Sequence, residues 1–228
     1  MQKKVSFLTG FPRSGNTLLS KILNQNKDIG TSGHSSLPDV LFNLDLIKSK
    51  NTYNNFKSDK DYNNILTNIF NNYYKDWPQK YIIDRGEWAT PANYALLFKY
   101  FYQDIKIIFL LRNPIDVIKS YIELCNNHPN FYINQQYNGL DKTSLHRTEL
   151  EEKIELITKK GDLVDWSFMA YNFIKDKKNV HFVKYEDLVK SPAKILKDIY
   201  DFLNIPKFKH NFNIKDQFSI NNISYNDD

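Results

Sequence analysis

The segment Gly10-Phe11-Pro12-Arg13-Ser14-Gly15-Asn16-Thr17 constrains this chain more than any other. A short apolar run, Val5 to Thr9, precedes it, and Thr17 to Leu23 follows with apolar residues at helical spacing. Strand, tight loop and helix in that order, with G-x-x-x-x-G-x-[ST] spacing, is the context of the Walker A phosphate loop. The lysine of that motif is replaced by Asn16. Successive N–H groups of a Gly-containing turn and a helix N-terminus still make a concave anion site without it. The replacement removes the ammonium that reaches the β- and γ-phosphates of a nucleoside triphosphate, which argues against an ordinary ATPase or kinase. Arg13 supplies a different cation from within the loop.

The rest of the chain alternates in the same way. Tyr81 to Ile83, Ile105 to Leu111 and Val180 to Val183 read as strands, the second as one buried on both faces. Helical patterns cover Asp39 to Ile47, Tyr62 to Tyr74, Ala92 to Phe101, Ile115 to Leu124, most of Thr148 to Lys175, and Ala193 to Leu203. Gly30 to Pro38 reads as a turn-rich loop, Cys125 to Leu145 as a long polar insertion, and Pro206 to Asp228 as an irregular tail whose last ten residues suggest a C-terminally short chain. Strands alternating with helices predict an α/β fold of three layers, a central parallel sheet flanked by helices. No repeat or linker divides the 228 residues, so residues 1–228 are expected to form one domain.

Composition narrows the function classes. A hydrophobic fraction of 41% is too apolar for intrinsic disorder. The single cysteine, Cys125, excludes an internal disulfide; it is expected just past a helix end and inert. No His–Cys cluster offers a metal site, and His128, His146, His181 and His210 read as structural. Val5 to Leu8 is too short for a signal-peptide core, and no stretch approaches the roughly 18 apolar residues of a membrane span. A cytoplasmic protein without a membrane span is expected. The net charge of +5 favours anionic partners, but it is modest and spread along the chain, so nucleic acid is not implied.

Two further motifs accompany the loop. Arg112-Asn113-Pro114-Ile115-Asp116 ends the most strand-like run, and Ser120, eight residues after Arg112, lies about two turns into the next helix, so both can face one phosphate at the carboxyl edge of a sheet. Tyr185-Glu186-Asp187-Leu188 follows the last strand. Its tyrosine can stack on or hydrogen-bond a base, and the two acids suit capping or bracing of the turn.

Phe11 to Leu19 resembles the 5′-phosphosulfate loop of sulfotransferases that use 3′-phosphoadenosine 5′-phosphosulfate (PAPS), in which Lys or Arg stands at the position of Arg13. Arg112 to Ser120 resembles that family's 3′-phosphate motif, R-[DN]-P-x-[DE]-x-x-x-S. Tyr185 to Pro192 with Phe202 to Pro206 resembles its Y-E-D-L-x-x-x-P and F-L-x-I-P segments. The motifs keep family order from residue 5 to 206, closest in style to bacterial and tyrosylprotein-type members. The resemblance implies a PAPS-dependent sulfotransferase acting on a hydroxyl or amine of an unknown acceptor. Arg13, Ser14, Gly15, Asn16 and Thr17 would hold the 5′ end of the donor, Arg112 and Ser120 its 3′-phosphate, and Tyr185 its adenosine, with no metal required. A degenerate P-loop nucleotide or nucleoside kinase and a non-catalytic nucleotide-binding module are the alternatives.

Sulfuryl transfer needs in-line attack, cations around the transferred group and a base for the acceptor proton. Arg13 is the expected catalytic cation and His34 the expected base, with Glu87 and Asp84 as other candidates. Tyrosylprotein-type relatives place a Glu in a Gly-Glu-Glu-Thr segment near this point, where this chain has Gly33-His34-Ser35-Ser36. Arg85 reads as a ligand for the sulfonate or an anionic acceptor, or as a salt-bridge partner of Asp84 or Glu87. Trp88 reads as acceptor-pocket lining or as packing.

Overall fold

The computed structural model describes residues 3–55, 58–101, 104–141, 147–160, 163–213, 218–220 and 223–225. Strands β1 (Lys4–Gly10), β2 (Ile29–Thr31), β3 (Tyr81–Arg85), β4 (Ile107–Leu111) and β5 (Val180–Lys184) form one parallel sheet in the order β2-β3-β1-β4-β5. Helix α1 (Asn16–Leu23) connects β1 to β2, and α2 (Leu37–Leu46), α3 (Asn51–Asn55) and α4 (Asp59–Tyr73) lead to β3. Helix α5 (Pro91–Tyr100) leads to β4, and α6 (Pro114–Asn127), α7 (Tyr132–Asn138), α8 (Glu149–Thr158) and α9 (Leu163–Ile174) lead to β5. Helices α10 (Tyr185–Lys190) and α11 (Pro192–Leu203) follow. The expected three-layer α/β architecture is what the chain adopts.

Side chains alternate across a strand, so a sheet covered on both faces reads as a continuous apolar run. Val5, Phe7, Ile82, Ile107 and Phe109 enter one core with residues of α2, α4, α5 and α9. Their neighbours Leu8, Ile83, Ile108 and Leu110 enter the opposite core with α1, α10 and α11. A third cluster, Val117, Tyr121, Cys125, Ile133, Ile157 and Val164, ties α7, α8 and α9 to α6.

Four local readings are corrected. Ile29 to Thr31 is a strand and not part of a loop; three residues are too few to show an alternation, and pairing with Tyr81 to Ile83 makes them one. The polar insertion contains α7, whose Ile133 and Asn134 are buried, and Asn134 Nδ2 donates to the carbonyls of Cys125 (2.7 Å) and His128 (3.0 Å). Cys125 lies inside α6 and not past its end, 4% exposed. In the tail, β6 (Phe218–Ile220) and β7 (Ile223–Tyr225) pair antiparallel where no regular structure was expected. His146 lies outside the described residues.

The sheet order decides where ligands collect. β1 is central; from it the chain runs to the edge strand β2, returns to β3 between the two, and then crosses to β4 and β5 on the other side. Open parallel sheets bind ligands beyond the carboxyl ends of the strands at such a reversal. Here that point is the crevice between the loop after β1 and the loop after β4.

Candidate active site

The loop after β1 owes its shape to two glycines. Gly10 has φ 152°, and a Cβ there would lie 2.4 Å from the Leu110 carbonyl oxygen of the adjoining strand. Gly15, at φ 87°, is the N-cap of α1 and has no side chain to cap its first N–H groups. Arg13 between them is also left-handed, φ 56°. Closely spaced left-handed residues ahead of an uncapped helix turn successive N–H groups toward one point, the arrangement that receives an anion.

Asn16, at the position of the Walker lysine, braces the loop from inside: its Nδ2 donates to the Phe11 carbonyl (3.1 Å) and to Ser14 Oγ (3.2 Å). Ser14 is fully buried, and its hydroxyl donates to the same Phe11 carbonyl at 2.5 Å. Ser14 and Asn16 therefore offer an anion their backbone N–H groups, while their side chains hold the loop. Arg13 Nε donates to Ser120 Oγ at 3.1 Å.

The second anion site grows from β4. Asn113 caps α6, its side chain accepting from the Ile115 N–H (3.0 Å), and Pro114 occupies the first helical position. Ser120 lies on the buried face of this helix. Arg112 Nη1 donates to the Arg13 carbonyl at 2.5 Å, and its Nε is buried with no hydrogen-bond partner among the described residues. Leu111 pairs with Lys184, so Arg112 and Tyr185 leave neighbouring strand ends, and the guanidinium sits 4.4 Å from the centre of the Tyr185 ring. Glu186 accepts from the Asn113 N–H (3.2 Å), the bracing expected of that acid.

On the other side of β1, Arg85 ends β3 and donates from Nη1 to Thr17 Oγ1 at 2.7 Å. This contact places its guanidinium at the loop after β1. The loop after β2 is sewn to this strand end: Ser32 Oγ accepts from the Arg85 N–H (2.6 Å) and the Ser35 N–H donates to the Arg85 carbonyl (2.7 Å). His34 lies between these two serines and is exposed. Partial desolvation lowers its pKa, the Arg85 charge acts in the same direction, and Asp39 opposes both. Desolvation and the Asp39 charge raise the pKa of exposed Glu87.

A family model, the sulfotransferase domain, matches residues 3–227. The chain belongs to the sulfotransferase domain family. The sulfotransferase domain from the curacin biosynthetic pathway is 19% identical, with 91% of this chain and 76% of that one covered at a TM-score of 0.55. A sulfotransferase from Alicyclobacillus acidocaldarius is 15% identical, with 95% and 87% covered and a TM-score of 0.57. Mouse sulfotransferase SULT7A1, complexed with PAP, is 21% identical, with 92% of this chain and 62% of the mouse chain covered and a TM-score of 0.52. No curated protein matches this sequence significantly. Of the readings left open by the loop, family membership selects the sulfotransferase over the kinase.

Two candidate residues of the sulfotransferase lie in the core. Trp88 is fully buried, its ring 4.8 Å from that of Phe7 and its Nε1 donating to Asp84 Oδ1 at 2.6 Å, so it is core and lines no acceptor pocket. Asp84, itself fully buried, is held by that bond and kept from the role of base; burial raises its carboxyl pKa. Conversely, Ser32 and the bracing side chain of Asn16 were missed. Neither has a motif of its own: Ser32 matters only because β2 and β3 pair.

No described helix of this sulfotransferase is long and apolar enough to cross a membrane.

Proposed function

We propose that this sulfotransferase, acting as a single domain over residues 1–228, transfers a sulfuryl group from PAPS to a hydroxyl or amine of an acceptor, without a metal. The observation that carries the reading is the junction of two anion sites, Arg13 bonded to Ser120 and Arg112 bonded to the Arg13 carbonyl. A donor anionic at both its 5′ and 3′ ends fits that pair. The cradle fits as well: a Cβ at Gly15 would reach 2.7 Å from Tyr185, so the loop keeps its backbone open where the donor would lie, and the buried Arg112 Nε retains an unused donor.

When bound, PAPS supplies an activated sulfuryl group. Arg13 and the N–H groups of residues 14–17 stabilise charge that develops on the 5′-phosphate, the largest electrostatic contribution in such a step. Arg85, fixed on Thr17, would stabilise charge on the transferred group or hold an anionic acceptor. His34 accepts the proton of the acceptor O–H or N–H as the acceptor lone pair forms the bond to sulfur. The bond from sulfur to the 5′-phosphate oxygen breaks, and its electron pair leaves with adenosine 3′,5′-bisphosphate. Desolvation and Arg85 keep His34 neutral at physiological pH, the form a base needs.

Calorimetric titration with adenosine 3′,5′-bisphosphate, beside ATP with magnesium, tests this. Binding of the bisphosphate and not of ATP is expected; the reverse preference, or binding of neither, overturns the donor assignment.

A further inference from the structure

We infer that Tyr185 is a positioning residue that aims Arg112 at the donor's 3′-phosphate, its ring serving the arginine before it serves any base. The inference rests on the donor reading above and goes beyond it. Sheet register places the two residues on adjacent strand ends, Leu111 beside Lys184. The guanidinium carbon lies 4.4 Å from the ring centre and so covers one face of the ring, leaving that face closed to a stacked base. Tyr185 also abuts the phosphate loop, with its Cδ2 2.7 Å and Cε2 3.1 Å from where a Gly15 Cβ would stand. Arg112 in turn donates to the Arg13 carbonyl. One ring therefore touches the glycine that opens the 5′ site and the arginine that forms the 3′ site.

An arginine side chain has several rotatable bonds, and a fixed aromatic face removes much of that freedom before ligand arrives. The ring makes these contacts, while the Tyr185 hydroxyl has no hydrogen-bond partner among the described residues. The work is thus assigned to the aromatic face, and phenylalanine should do it equally well.

The test compares adenosine 3′,5′-bisphosphate with adenosine 5′-phosphate, which has the same base and ribose but no 3′-phosphate, by calorimetry on wild type, Tyr185→Phe and Tyr185→Leu. Tyr185→Leu is expected to weaken the bisphosphate about tenfold and to leave the monophosphate within about twofold, so that their affinity ratio collapses. Tyr185→Phe is expected to keep the wild-type ratio. In an Arg112→Ala background Tyr185→Leu should have little further effect. Equal weakening of both ligands marks a direct adenosine contact and overturns the inference, as does no change in either. Should Tyr185→Leu fail to melt cooperatively, Tyr185→Met is read by the same ratio. Wild-type protein that binds neither ligand overturns the donor reading itself, a result distinct from equal weakening in the variant.

Discussion

Arg13 Nε donates to Ser120 Oγ across 3.1 Å, joining the loop after β1 to the helix after β4 over a separation of 107 residues. The bond fixes a half-buried guanidinium and orients a serine that is 8% exposed. Arg13→Ala is expected to weaken adenosine 3′,5′-bisphosphate about 30-fold or more and Ser120→Ala about three- to tenfold, as for hydrogen bonds to charged groups. The double variant should resemble Arg13→Ala alone, because the two act through one contact. Titration calorimetry of the four proteins checks this; fully additive losses would show two independent contacts.

His34→Gln should lower turnover by about 10² to 10⁴ while leaving bisphosphate affinity within about threefold, the signature of a base that binds no donor. Glu87→Gln should retain most activity; the opposite pattern would move the base to Glu87.

The pH profile follows from the same surroundings. A base acts deprotonated, so activity rises with pH through its pKa. Desolvation and Arg85 hold the His34 pKa below its ordinary value of 6.5, so the ascending limb should lie below pH 6.5, with full activity at neutrality. Asp39 opposes that shift, so Asp39→Asn should move the limb to still lower pH. A limb that moves upward in that variant would contradict the assignment.

Gly10→Ala should destabilise the fold by about 2 to 4 kcal/mol, since φ 152° strains any L side chain and the new methyl meets the backbone of Leu110. Gly15→Ala is strained as well, at φ 87°, but its methyl meets the Tyr185 ring, a side chain that can shift, where Gly10→Ala meets backbone; it should cost less stability and lower bisphosphate affinity. Urea unfolding beside calorimetry separates the two.

Asp84 is fully buried with a raised pKa, caused chiefly by desolvation and opposed by the hydrogen bond from Trp88 Nε1. A carboxyl that binds its proton more tightly in the folded state makes stability fall as pH rises from the ordinary carboxylate value toward the folded one. Asp84→Asn keeps an acceptor for Trp88 Nε1 and removes the buried charge, so at neutral pH it should match or exceed wild-type stability and flatten that slope. Asp84→Ala orphans the indole N–H and should cost about 1 to 3 kcal/mol. Thermal melts across pH 4 to 8, roughly the span over which buried carboxyls titrate, decide it.

Legibility in the sequence followed the range of the forces involved. Gly10, Gly15, the Asn113-Pro114 cap and the apolar runs of β1 and β4 act within a few residues, and each was readable because backbone conformation and hydrogen-bond capping are local. The strand β2 and the helix α7 were not, because three residues of pairing and one buried isoleucine take their meaning from neighbours distant in the chain. Trp88 kept two readings open for a related reason: an aromatic beside a helix start looks the same whether it faces a cleft or, as here, Phe7 and Asp84.

The three-layer α/β class, the glycine loop after β1 and the family to which the motifs belong depend on residue type and short spacing, and so were legible in the chain before it folds. Only the tertiary structure decided which side chains meet. Arg13 reaches Ser120, Arg85 reaches Thr17 and Arg112 lies on Tyr185 because β3, β1, β4 and β5 are neighbours in that order. A strand order is a cooperative outcome of burying both sheet faces at once, and no local window of sequence contains it.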